Sequence, residues 1–293
     1  MSEADSAVVI SSDALAQRLQ SATPPRVVFV GDAGAFASGH IPAARRLDFA
    51  DLNHSEPPVD GLLPDMGVLA TVLGDAGIRP DQAVIAYDDS GGGRAARLVW
   101  TLNALGHWRA GILDGGLAAW REDGRPLQSG KPAAGGSQAP YPAALRNPEV
   151  VADADDILAH LHDPDLCVLD ARSPAEYRGE DVRAARGGHI PGAVNVDWAE
   201  NRDPARGARL RPIEALDALY AARGLRRDQP VIAHCQSHHR SSLSYVVLRH
   251  LGFRQVRGYA GSWSEWGNRA DTPIVTGPEP LPPENAHGSG GAR

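Results

Sequence analysis

Short apolar runs alternate with amphipathic stretches along this chain. Val27–Val30, Val84–Tyr87, Cys167–Leu169, Ala193–Val196 and Val231–Ala233 are compact apolar runs, most of them rich in β-branched residues. Such runs predict strands buried on both faces. Between them the apolar positions recur at helical spacing, from about Ala95 to Leu105 and through Leu243, Val247 and Leu251. Ser12 ahead of Leu15 and Leu19, and Asp153 ahead of Ile157, Leu158 and Leu161, supply helix starts. Buried strands alternating with helices predict an α/β fold with mostly parallel sheets flanked by helices. In such sheets ligands bind beyond the carboxyl ends of the strands, and Cys235 follows the Val231–Ala233 run at that place.

The pattern is written twice. Gly39-His40-Ile41-Pro42-Ala43-Ala44 recurs as Gly188-His189-Ile190-Pro191-Gly192-Ala193. Val84-Ile85-Ala86-Tyr87 recurs as Val231-Ile232-Ala233-His234. Leu105-Gly106 recurs as Leu251-Gly252, and Gly115-Gly116-Leu117-Ala118-Ala119-Trp120 as Gly261-Ser262-Trp263-Ser264-Glu265-Trp266. The offsets are 149, 147, 146 and 146 residues, so order and spacing are kept. A period this long is a duplicated domain. We expect a first domain over 8–127, a Gly-, Pro-, Ala- and Ser-rich linker over 128–147, a second domain over 148–275 and a disordered tail over 276–293.

Composition narrows the function. A formal charge of −7 argues against nucleic acid and anionic membrane surfaces as partners, so any anion site must be local. No apolar stretch is long enough to span a bilayer, and the acidic start Met1-Ser2-Glu3-Ala4-Asp5 lacks the order of a signal peptide. Two cysteines in 293 residues do not make a disulfide scaffold, so a reducing, cytoplasmic location is expected; a monomer is expected as well. Cys167 reads as a small hydrophobe in a strand. Lys131 is the only lysine, which leaves no lysine for covalent chemistry.

Cys235 has a different setting. It ends an apolar run and is followed by Gln236-Ser237-His238-His239, then by Arg240 and Ser241 at a helix start. Loop amides and the positive end of a helix both favour a thiolate and would also cradle an anion. A free thiol ionises near about 8.5, and lowering that by two units requires only about 2.7 kcal/mol of differential stabilisation.

With these motifs in place, the chain resembles the rhodanese family, specifically its tandem-domain sulfurtransferases. The run Val256 to Trp266 resembles the family's C-terminal signature, Gly188 to Ala193 its other signature, and Cys235 to Arg240 its active loop. The Gln-Ser-His-His interior is similar to Azotobacter-type bacterial rhodaneses and departs from the loops of vertebrate-type thiosulfate and mercaptopyruvate enzymes. The resemblance implies that Cys235 takes a sulfur atom from a small anionic donor such as thiosulfate, forms a persulfide, and passes the sulfur to a thiophilic acceptor such as cyanide or a thiol. No cofactor is expected, and no metal either, because His234, Cys235, His238 and His239 are near-consecutive loop residues that can rarely converge on one tetrahedral ion and no second ligand pair is evident. The position matching Cys235 in the first copy is Asp88, which implies a non-catalytic first domain, with Asp88 as a helix-entry cap.

Gln236, Ser237, His238, His239, Arg240 and Ser241 are the expected substrate-binding loop. Arg240 would hold the donor anion or fix the loop by bonding its carbonyls. His238 and His239 would add positive potential near the sulfur, or point to solvent and leave the work to their amides. Asp170 and Arg172 would either support the anion site or pair with each other to hold the loop toward Gly188. Glu176 stands where vertebrate-type enzymes resemble one another in having an arginine. His40 and His189 occur in both copies and read as turn-stabilising, and Trp198, Trp263 and Trp266 as packing, with Trp263 also a candidate pocket wall. Three rival readings stay open. One is mercaptopyruvate-type donor specificity, one is cysteine-dependent phosphatase or arsenate reductase chemistry, for which the loop is short, and one is a non-catalytic rhodanese-like binding module.

Overall fold

The computed structural model describes residues 8–130 and 139–278. Each half builds a five-stranded parallel sheet. The first contains β1 (Val9–Ile10), β2 (Arg26–Val30), β3 (Arg45–Leu47), β6 (Val84–Tyr87) and β7 (Ala110–Leu113), with β4 (His54–Glu56) and β5 (Val59–Leu62) forming a separate antiparallel hairpin. The second contains β8 (Val151–Ala152), β9 (Cys167–Asp170), β10 (Val194–Asn195), β11 (Val231–His234) and β12 (Val256–Tyr259). The helices are α1 (Ser12–Leu19), α2 (Ala33–Ser38), α3 (Met66–Asp75), α4 (Gly93–Ala104), α5 (Gly116–Glu122), α6 (Ala154–Ala159), α7 (Pro174–Arg178), α8 (Ile213–Ala222), α9 (Arg240–His250) and α10 (Ser262–Trp266).

Strand order is β1-β7-β6-β2-β3 in the first sheet and, read in the same sense, β8-β12-β11-β9-β10 in the second. The two orders superpose element for element, which is the duplication seen in the sequence. The central strands are apolar throughout because successive side chains enter different cores. Val28 and Val30 of β2 join one apolar cluster, whereas Val27 and Phe29 join another. In β11, Val231 and Ala233 face the first cluster and Ile232 a third. That is the period-two alternation of a strand covered on both faces.

The largest cluster is continuous between the halves. It holds Leu98, Val99, Trp100 and Leu102 of α4 together with Leu243, Val246, Val247 and Leu248 of α9. These two helices follow the two equivalent central strands and pack on each other. Every α4 residue from Ala95 to Ala104 is buried, as a helix enclosed on all sides requires. The interface places the carboxyl ends of both central strands, and the loops that follow them, at the junction of the domains.

Local expectations meet the structure at most elements. Helix starts fall at Ser11, whose hydroxyl caps α1, rather than Ser12, and at Asp153, which forms a reciprocal capping box with Asp156. Expected linker residues are partly tied down. Gln128 pairs with His40, and Tyr141 is buried with its amide donating to Ala70 O at 2.8 Å. Residues 131–138 of the expected linker and 279–293 of the expected tail lie outside the described residues.

Candidate active site

Cys235 leaves β11 and Arg240 opens α9, so the four residues between them form the loop. The loop is held from below by the start of α10. Ser262 Oγ accepts hydrogen bonds from the amides of Cys235 (3.3 Å) and His238 (3.1 Å) and donates to Tyr259 O at 2.7 Å. Trp263 N donates to Cys235 O and Ser264 N to Gln236 O, both at 2.9 Å. His238 adopts φ +52° and Ser262 φ +50°, both in the left-handed region.

Cys235 is 1 % exposed. Burial alone would push its thiol up. Against that act the Arg240 charge, the Ser241 hydroxyl and the amides of Ser241 and Ser237, and together they hold the thiol below its ordinary value. Cys167 provides the contrast. It is buried in β9, and burial pushes its thiol up to about 12. Two thiols in one protein are thus driven in opposite directions by their surroundings.

The first domain presents the same cradle occupied by a carboxylate. Asp88 Oδ1 accepts from the amides of Ser90 (2.8 Å) and Gly92 (2.9 Å), and Oδ2 from Ala95 (2.9 Å) at the start of α4. Leu117 N donates to Asp88 O at 2.9 Å, matching Trp263 N to Cys235 O. Where the second domain holds a sulfur, the first is filled by its own side chain.

Several sequence-predicted residues stand elsewhere than expected. Arg240 bonds no loop carbonyl. It grips Glu176 bidentately, at 2.6 and 2.8 Å, with Glu176 fully buried and also accepting Ser173 N at 3.1 Å. Burial would raise the Glu176 carboxyl, but Arg240 holds it down at about 2. His238 neither points to solvent nor carries charge. It is fully buried, its Nδ1 lies 2.8 Å from Ser241 Oγ, and its ring meets Trp100 of the first domain edge-on at 4.4 Å. Burial, then the charge of Arg97, keeps it neutral. His239 packs on Phe49 (4.8 Å) and Trp198 (5.9 Å), and burial lowers it to about 4. Both rings therefore anchor the loop instead of adding positive potential.

Asp170 and Arg172 pair with each other at 2.6 Å, both buried, and Arg172 Nη2 also donates to Gly188 O at 2.7 Å. Its guanidinium lies 4.1 Å from the Trp263 ring centroid. This set braces the Gly188 turn and spends the Arg172 charge on Asp170. Gln236 reaches out to Arg183 O at 3.1 Å. His40 and His189 stack on Phe36 and Tyr177 and bond backbone oxygens at 2.9 and 2.8 Å, as turn-stabilising residues should.

Sequence reasoning gave no part to Ser262, Ser264, Gly61 or Arg97. Ser264 exchanges hydrogen bonds with Asp60 N (2.9 Å) and Asp60 O (3.1 Å), clipping α10 to the β4–β5 hairpin. Gly61, at φ +82°, lies directly on Ser237 O, where any Cβ would overlap the carbonyl. A cleft of about 440 Å³ lined by Asp32, Asp48, Phe49, Arg94 and Asp60 reaches the active loop at Ser237. Among the described residues no group of His, Cys, Asp or Glu is placed to hold a metal, and no helix is long and apolar enough to cross a membrane.

Two copies of one parallel α/β domain, one holding a thiol and the other a carboxylate in the same amide cradle, define a tandem protein built around a single reactive cysteine. Residues 11–123 and 153–269 each match the rhodanese-like domain, and the chain belongs to that family. It is 44 % identical to a thiosulfate sulfurtransferase of Azotobacter vinelandii over 85 % of this chain and 91 % of that one. It is 43 % identical to one of Pseudomonas aeruginosa, over 92 % and 97 %. The crystal structure of a 3-mercaptopyruvate sulfotransferase from Escherichia coli superposes with a TM-score of 0.75 at 30 % identity, over 88 % of this chain and 99 % of that one.

Proposed function

We propose that this chain is a sulfurtransferase that moves a sulfane sulfur from thiosulfate, or a similar small anionic donor, to cyanide or a thiol. The catalytic domain is residues 148–275, and 8–127 is a non-catalytic partner domain within the same monomer. The observation that carries the reading is Cys235, whose thiol is lowered despite burial by amides, a hydroxyl and an arginine. The close relationship to two thiosulfate sulfurtransferases supports it.

The reaction is a double displacement. The Cys235 thiolate attacks the outer sulfur of thiosulfate. A sulfur–sulfur bond forms to the enzyme as the donor's own breaks, and sulfite leaves with the bonding pair. The terminal sulfur of the persulfide is then taken by the acceptor, and the pair returns to Cys235 as thiolate. The amides of Ser237 and Ser241 face the sulfur where negative charge develops, and Gln236, His238 and His239 complete the loop that holds them. Arg240 contributes charge to that site, while Glu176, Asp170, Arg172 and Trp263 fix the surrounding walls. Arg240 is engaged by Glu176, so no free guanidinium there invites the carboxylate of 3-mercaptopyruvate, and the relationship to two thiosulfate sulfurtransferases favours thiosulfate as the donor.

The test is steady-state turnover with thiosulfate, 3-mercaptopyruvate and an aryl phosphate. Thiosulfate plus cyanide should be the best pair, with ping-pong kinetics. Cys235→Ser should abolish it and Cys167→Ser should not. Predominant phosphatase activity, or loss in both variants, would overturn the assignment.

A further inference from the structure

Arg97 stands in α4 of the domain that lacks the cysteine. Its neighbours in sequence are apolar and it is fully buried. Nη2 donates to Gly61 O at 2.7 Å, Leu52 O at 3.1 Å and Leu62 O at 3.2 Å. The guanidinium lies 4.6 Å from the Trp100 ring centroid, and Trp100 in turn meets His238 of the active loop. Nε and Nη1 have no hydrogen-bond partner, and among the described residues Arg97 makes no ion pair with a carboxylate. A buried cation without a counter-charge costs several kcal/mol.

The charges facing Cys235 from each packed element show what balances it. From α9, the Arg240 charge acts on the sulfur, tempered by Glu176 of α7, which grips it and which Arg183 also approaches at 3.6 Å. From β9, Asp170 and Arg172 neutralise each other, and His234 of β11 is held neutral, at about 4, by burial. In the loop, burial keeps His238 and His239 neutral. From α4, Arg97 adds a second positive charge, one without a carboxylate partner among the described residues.

We infer that Arg97 is a positioning residue for Cys235: it sets a fixed positive charge behind the active loop and ties the β4–β5 hairpin down onto Ser237. The inference rests on the proposed thiolate chemistry and assigns part of it to the domain without a nucleophile. Burial lowers Arg97 to about 9, and the negative sulfur opposes that fall, so the guanidinium is still charged at neutral pH. By reciprocity the cation favours thiolate over thiol. Through Gly61, whose carbonyl it holds and whose Cα rests on Ser237 O, the same side chain keeps the loop amides in place.

The experiment is the pH dependence of Cys235 alkylation by iodoacetamide in full-length wild type, Arg97→Gln and Arg97→Lys. Glutamine keeps a donor for the carbonyls and removes the charge. Lysine keeps both. The wild-type midpoint should lie below the about 8.5 of a free thiol. Arg97→Gln should raise it by about one pH unit, slowing alkylation well below the midpoint about tenfold. Arg97→Lys should stay within about half a unit of wild type. If Arg97→Gln is recovered unfolded, Arg97→Lys decides alone, and a rise of a full unit there overturns the inference. So does an unmoved midpoint in folded Arg97→Gln. A wild-type midpoint at the free-thiol value would instead sink the thiolate reading itself, so the two failures are distinct.

Discussion

Replacing Asp88 separates the cradle's structural role from its chemical one. Three backbone amides converge on its carboxylate at 2.8, 2.9 and 2.9 Å, and the residue is 1 % exposed. The Ser90 and Gly92 amides stand in half-buried residues that water can reach, whereas Ala95 is buried at the helix start. Asp88→Ala strips all three acceptors. Hydrogen bonds to a charged group contribute about 1.5–3 kcal/mol each, and a buried unpaired donor costs about 1–3 kcal/mol. With water rescuing the two outer amides, the loss should be about 2–4 kcal/mol. Asp88→Asn keeps one acceptor oxygen but turns an NH2 group toward an amide, and should lose about half as much. Urea unfolding monitored by circular dichroism reads the shift in midpoint at constant slope. Turnover of the folded variants should stay within about twofold of wild type, because the catalytic cradle belongs to the other domain. Unchanged stability in Asp88→Ala, or turnover lost in folded protein, would refute a carboxylate acting as a plug in a spent cradle.

Further predictions concern pH and the domain contact. Burial holds His234 at about 4 and keeps His238 well below its ordinary value. Unfolded histidine takes up its proton near 6.5 and the folded protein cannot. The associated stability is therefore fully present above about pH 6.5 and is lost as pH falls toward 4, with His234 alone responsible for about 3 kcal/mol. Urea midpoints that stay flat across that window would contradict the burial of both rings. Glu176 titrates in a separate, lower window. Its stabilisation is present above about 4.5 and is lost as pH falls through about 2. Gly61→Ala should lift the β4–β5 hairpin off Ser237, costing about 1–3 kcal/mol and lowering kcat/KM at least about tenfold. Gly124→Ala is the control, because Gly124 shares a positive φ of +66° but has open space around it. Equal effects of the two on turnover would mean that the hairpin does not position the loop.

What the sequence made legible follows from where the information is local. The central strands were readable because both of their faces are covered, which leaves runs such as Val84–Tyr87 apolar throughout. The β4–β5 hairpin carried no such signal, since His54, Ser55 and Glu56 all face solvent. Nor did β12, where Arg257 and Gly258 interrupt the run. Gly258 is there because His238 packs against its Cα, a contact invisible from either segment alone. Cys235 was legible from its place between strand and helix. The partners of the loop were not, because His238 and His239 are buried by Trp100, Phe49 and Trp198, which stand far away in sequence, two of them in the other domain. Arg97 did leave a trace. An arginine amid Ala95, Ala96, Leu98, Val99 and Trp100, in a helix buried all round, breaks the local pattern without a local reason.

Cys235 must accept sulfur for this chemistry to run, and intact and peptide mass spectrometry after anaerobic incubation with thiosulfate tests that most directly. A gain of one sulfur, about 32 Da, mapped to the peptide carrying Cys235 and removed by cyanide, is the expected result. No added sulfur, or sulfur on Cys167 instead, would contradict it.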